Sequence, residues 1–249
     1  MATAVWDKPL IAIEGETASL TTTASYLLYK PNFDGVQLYS ASAWRFALSP
    51  ALLHCLYYDA SAATYTDYRV QATDRVATTH VPLDAMPTTN YLYLGFNEPA
   101  LGIYINVDGT NKNTNTATLD VEYSSTAVAV GATLAFTDVA GDSDGTSAAA
   151  TLTQDGVYTW TLPTAWVRTT LGTATVPLYG KCYWIRFCPS ATLSALVDLV
   201  DIIPVYKNAN YSYQEAATSY VFQIDPTRNS GFVLLGTTTQ TLNVSWLRH

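Results

Sequence analysis

Three histidines, His54, His80 and His249, are the first residues to weigh for chemistry, because imidazole changes its protonation near neutral pH and serves as base, acid or metal ligand. None has the setting such work needs. A Ser–His–acid triad requires a serine on a tight elbow, and no Gly-x-Ser-x-Gly occurs. His54, inside ALLHCLYY, has no partner nearby to position it as a base, so it reads as packed or at the surface. Zinc would need four ligands at short spacings, and the histidines with Cys55, Cys182 and Cys188 offer no such pattern. The stretch DVAGDSDGT brings Asp138, Asp142 and Asp144 together and invites calcium. Its Gly145 is out of place for an EF-hand and no glutamate closes the loop, so an Asp-Gly turn is the reading. Glycoside hydrolysis would need two facing carboxylates, and nothing distinguishes Glu98, Glu122 and Glu215 from surface acids. Walker loop, dinucleotide fingerprint and His-Glu-x-x-His are all missing. No catalytic residue, cofactor or metal is expected, and the chain does not read as an enzyme.

The elements that would have to position any site are strands. From Thr116 to Tyr123, Ala117, Leu119, Val121 and Tyr123 share one face, with Thr118, Asp120 and Glu122 on the other, a period of two. In Leu152 to Leu162, Asp155-Gly156 supplies a tight turn between strands, after which Val157, Thr159 and Thr161 oppose Tyr158, Trp160 and Leu162 until Pro163 ends the ladder. Trp166 follows on a short excursion of about one turn. Lys181 to Cys188 is apolar on both sides, Tyr183, Ile185 and Phe187 against Cys182, Trp184, Arg186 and Cys188. That suits a central strand covered twice, or one whose second face meets another chain. Cys182 and Cys188 lie six apart in that strand, about 20 Å between Cα atoms, where a disulfide needs roughly 4.4–6.8 Å. Free, buried thiols are expected.

Elsewhere the pattern is coarser. Residues 1–18 have an isolated Trp6 and no sustained period, which gives an extended N-terminal arm reaching a neighbouring subunit or a frayed terminus. Trp6, Leu10, Ile11 and Ile13 are its candidate interface residues. Trp44, Phe46 and Leu48 alternate before Pro50. Ala51 to Tyr58 reads as a short helix passing into a strand, a length that leaves both open. The Asn-rich DGTNKNTNT, 108–116, reads as an exposed hairpin tip, either a contact loop or simply solvated. From Thr192 to Val205 the alternation slips near Asp201, which predicts a β-bulge. SYVFQID and RNSGFVLL form a plausible hairpin, with QTLNVSWLRH after it. The expected organisation is an arm at 1–18, a β region at 19–90, a central β-sandwich at 91–205 and a C-terminal region at 206–249 that packs with 19–90.

At 249 residues the chain can form one large β domain or two small ones. Charged residues make up 13%, about half the usual share of roughly 25%. Such surfaces suit extensive contacts, because few ions must be desolvated on assembly. The formal net charge of −8 argues against nucleic-acid binding. No run approaches a membrane span, and the first residues lack the basic start and apolar core of a signal peptide.

The order YLYLGFNEPALGIYINV, LDVEYSS, LTQDGVYTWTLPTAWVRT, YWIRFCPSATLS resembles a module in virion structural proteins of tailed bacteriophages, with a weaker echo in YYDASAATYTDYRVQATD. Similar proteins often carry an aromatic next to a glycine after the Val-Glu-Tyr strand; this chain reads SSTAVAVG there. The resemblance implies an all-β, antiparallel, jelly-roll-like β-sandwich. It further implies a capsid decoration (cement) protein whose partners are the major capsid protein or other virion subunits. A homo-oligomer, a trimer foremost, is implied too, in virions assembled in the host cytoplasm. Two alternatives stand beside it: a tail, baseplate or fibre module contacting the host, and a carbohydrate-binding module that uses the 18 Tyr and 6 Trp as stacking platforms. A planar exposed aromatic row would favour sugar, and buried aromatics would favour assembly.

Overall fold

The computed structural model describes residues 11–21, 25–28, 33–74, 76, 78–126, 134–173, 176–205, 212–214, 216–224 and 229–248. Among these there are strands and turns and no helix. In chain order the strands are β1 (Ile11–Leu20), β2 (Ser25–Leu28), β3 (Gly35–Ser40), β4 (Trp44–Pro50), β5 (Leu52–Asp59), β6 (Thr64–Asp67) and β7 (Val81–Pro82). Next come β8 (Tyr91–Phe96), β9 (Gly102–Val107), β10 (Leu119–Ser124), β11 (Phe136–Asp138), β12 (Ser143–Asp144), β13 (Gly156–Thr159) and β14 (Arg168–Thr173). The chain ends with β15 (Val176–Pro189), β16 (Asp198–Val205), β17 (Ser212–Gln214), β18 (Thr218–Gln223), β19 (Asn229–Gly236) and β20 (Gln240–Arg248).

Two compact units result, one of residues 1–49 with 208–249 and one of residues 50–207. The first unit is an antiparallel β-sandwich of two four-stranded sheets, β1-β20-β3-β18 and β17-β4-β19-β2. Its pairing is nested: first strand with last, β2 with β19, β3 with β18, and β4 with β17. Leu20, Val36, Leu38, Val244 and Trp246 from one sheet close on Leu27, Trp44, Phe232 and Leu234 from the other. Edge-to-face rings fill the gap between them, with Trp44 against Tyr220 and Phe46 against Phe222.

The second unit pairs a seven-stranded sheet, β11-β10-β15-β8-β5-β6 with β14 alongside β15, with a five-stranded sheet, β12-β13-β9-β16-β7. Leu94, Phe96, Val121, Ile185 and Phe187 of the larger sheet meet Ile103, Ile105, Tyr158, Leu199 and Ile202 of the smaller. Strand β15 is central, and Ile185, at 0% exposure, and Phe187, at 3%, point into this core. The bulge expected near Asp201 is present, as a register shift between Leu199 and Asp201 in β16.

Several expectations are corrected. The unit boundary falls at 49/50 rather than at 90/91, because β5 to β7 pair within the second unit. Only 19–49 of the expected N-terminal region pairs with the chain's end. Residues 11–18 of the expected arm are strand, hydrogen-bonded to β20; the polar side chains that denied them a period are tolerated on an edge. Ala51 to Tyr58 holds no helix: from Leu52 onward it is β5, and a register shift between Leu52 and His54 explains the broken alternation. Leu48 is exposed because alternation resets at Ala47. The loop 108–116 joins β9 to β10 across two different sheets, so it is no hairpin tip. Its Asn113 is buried and donates to Asn115 O and Thr151 O. Likewise β18 and β19 lie in opposite sheets and form no hairpin. Asp155-Gly156 opens β13, but turns, not a strand, precede it.

Candidate functional site

Alternation along β15 places Cys182, Trp184, Arg186 and Cys188 on the side of the large sheet opposite to Phe187. The ladder then builds a second, smaller cluster there. Arg186 stands opposite Glu122 on one side and Tyr93 on the other; Tyr93 faces Leu56, and Leu56 faces Asp67. The guanidinium binds the Glu122 carboxylate through two bonds, Nη2 donating to Oε1 at 2.9 Å and Nε to Oε2. It is also sandwiched by rings, 4.2 Å from Tyr91 and 4.4 Å from Phe136. Burial alone would lower the Arg186 pKa, but the bonds to Glu122 and Tyr93 outweigh it and raise it. Burial pushes the Tyr93 hydroxyl up as well.

Around this ion pair lie Tyr58, Tyr65, Tyr91, Tyr179 and Phe136, all half-buried. Their rings meet at angles: 40° for Tyr58 with Tyr65, 62° for Tyr65 with Tyr93, 72° for Tyr65 with Tyr179 and 61° for Tyr93 with Phe136. His54 stacks on Trp184 at 21°. A sugar platform needs an exposed, flat ring face, and these rings spend their faces and edges on one another. The exposed large hydrophobics among the described residues are Leu48, Val70, Val76, Leu162, Leu196 and Val221, none aromatic.

Beside the cluster runs a groove of about 540 Å³, lined by Tyr91, Asp120, Glu122, Asp138, Asp142 and Arg186. Two of its four acids are already engaged. Glu122 is held by Arg186, and Asp142 Oδ2 accepts a 2.6 Å bond from the Tyr158 hydroxyl. Using Glu122 as a base or nucleophile would break two charge-assisted bonds. Among the described residues no group of three or more His, Cys, Asp or Glu could hold a metal ion.

The residues singled out from sequence do not converge. His54 is packed, and its Nδ1 has no hydrogen-bond partner among the described residues. His80 meets the buried Asp198, Nε2 to Oδ1 at 3.1 Å, whose Oδ2 accepts from Asn111 at 2.7 Å. Asp144 caps a turn through Thr146 N–H at 2.8 Å, with Gly145 between them. Glu98 is exposed, and Glu215 and His249 lie outside the described residues. The three cysteines are free; Cys55 and Cys182 are buried, which pushes the Cys182 thiol to about 11, and such thiols are poor nucleophiles. Of the candidate interface residues, Trp6 and Leu10 lie outside the described residues, while Ile11 and Ile13 lie within β1, Ile11 paired with Arg248 and Ile13 at the register shift. The Arg186–Glu122 pair escaped the sequence reading, since its only local signal is one charge in an otherwise apolar strand. Comparison with protein-family models, curated proteins and solved structures finds no match to this chain.

Proposed function

We propose that this chain is a structural protein of a tailed-phage virion, acting as a capsid decoration (cement) protein that binds between shell subunits. The observation that carries the reading is the nested strand order of residues 1–49 and 208–249, with first paired to last in two facing four-stranded sheets. Such nesting supports a jelly-roll arrangement, an architecture used in viral capsid and lectin domains. Residues 50–207 form a second sandwich inserted between β4 and β17. The low charge density and the resemblance of the motifs in 91–189 point the same way. Partners on this reading are the major capsid protein and further copies of the chain. Mass spectrometry of purified particles, and re-addition of the protein to particles lacking it, test the proposal. Fixed stoichiometry and raised heat resistance of the head are expected; absence from particles would overturn it.

A second reading, a tail or fibre module that binds host glycan, is favoured by one feature, the acid-lined groove beside Tyr91 and Arg186. Binding on a glycan array that Asp120→Ala abolishes would select it.

A further inference from the structure

Strand edges leave backbone N–H and C=O groups unpaired, and folds blunt them with shortness, charge, proline or bulges. Among the described residues every edge but one carries such a device. β2, β6, β7, β11, β12 and β17 are two to four residues long. β14 begins on Arg168 and breaks register twice against β15. β1 is long, but its register shifts between Ala12 and Glu14, and Glu14 and Glu16 stand opposite the core residues Trp246 and Val244. β18 is the exception. Its six residues, TSYVFQ, hold no charge and no proline, and pair with β3 without a register shift.

Two further features mark this edge. Val221, 54% exposed, is an aliphatic side chain on an otherwise polar row, opposite Gln37, which in turn faces Ser245. The Ile224 N–H donates to Asp34 C=O at 3.0 Å. By antiparallel alternation that turns the main-chain groups of 220 and 222 towards β3, and those of 219, 221 and 223 towards the open side.

We infer that β18 joins two copies of this chain, pairing antiparallel with β18 of the second copy about a two-fold axis at Val221. Facing residues of an antiparallel pair share a face of the sheet, so the axis must pass through a residue, not between two. Centring it on Val221 sets Val221 against Val221, Tyr220 against Phe222 and Ser219 against Gln223. Residues 219, 221 and 223 then exchange about six main-chain bonds, against roughly four if the axis passed through Tyr220. No like charges meet, aromatic faces aromatic, and the exposed valine is covered. Two four-stranded sheets become one continuous sheet. A two-fold contact of this kind makes pairs, in place of the trimer implied by the resemblance, and it stands whether or not the virion reading does.

Sedimentation velocity over a concentration series tests the inference on the full chain and two variants. Val221→Pro removes an N–H that β3 does not use, at an edge position where proline is tolerated; Val221→Lys places two like charges across the axis. The wild type is expected to dimerise reversibly, and both variants to weaken the dimer by at least about tenfold with unchanged circular dichroism. A wild type that stays monomeric throughout overturns the inference, as does a dimer of undiminished affinity in the variants. Should Val221→Pro disturb the fold, Val221→Lys, on an exposed side chain, decides alone.

Discussion

Phe187 packs edge-to-face on Tyr158, ring centroids 5.6 Å apart, in the core of the second unit. Truncation to alanine should cost about 3–5 kcal/mol of stability, read from urea midpoints; a loss under about 0.5 kcal/mol would be a surface value. His54 gives a pH signature. Burial holds its pKa below the ordinary histidine value, with Asp67 opposing and Arg69 assisting. As pH falls through about 6.5, the unfolded chain therefore takes up a proton that the folded protein resists. Stability should decline below that pH, and His54→Phe should lose that share of the decline. A wild type no more acid-sensitive than the variant would contradict the assignment. At this scale the sequence was readable where one strand decides the matter: alternation in β15 sorted Phe187 from Trp184. It was silent on Arg186 with Glu122, because the register of strands far apart in the chain leaves no local trace.

At the scale of elements, strand identity was legible and strand partnership was not. Alternation marks a strand wherever one face is buried, so β10 and the bulge in β16 could be read directly. Short polar links look alike whether they turn a hairpin or cross between sheets, which is why neither 108–116 nor the β18–β19 link shows in sequence that it joins two sheets. The helix expected at Ala51 failed for another reason: a register shift destroys the period that identifies a strand. Gly102 tests the close packing of neighbouring strands. It lies in β9 between β13 and β16, and a Cβ there would sit 2.5 Å from the Tyr158 carbonyl and 3.1 Å from Thr159. Gly102→Ala should destabilise by about 1–3 kcal/mol, measured by thermal or urea unfolding. Neutrality would mean that β13 moves freely against β9.

At the scale of the molecule, each unit closes its own sheets and its own core. Residues 50–207 should therefore fold alone, giving one cooperative urea transition and a native near-ultraviolet dichroism; a gradual, non-cooperative loss would mean that they need the flanking sandwich. The chain leaves the first unit along β4 and returns along β17, with Phe46 opposite Ser212. The whole-chain arrangement was only half legible, since nothing at Pro50 announces that the partners of β4 lie more than 150 residues away. Among the described residues the charge is sparse, the aromatic rings are buried or half-buried, and the groove's acids are partly spent on structure. The most direct test of the proposed virion role is a reconstruction of a purified phage particle at a resolution that separates β-sheets. The account predicts density accepting both sandwich units at repeated positions on the head shell, between capsid subunits. Density confined to the tail tip, or none anywhere in the particle, would contradict it.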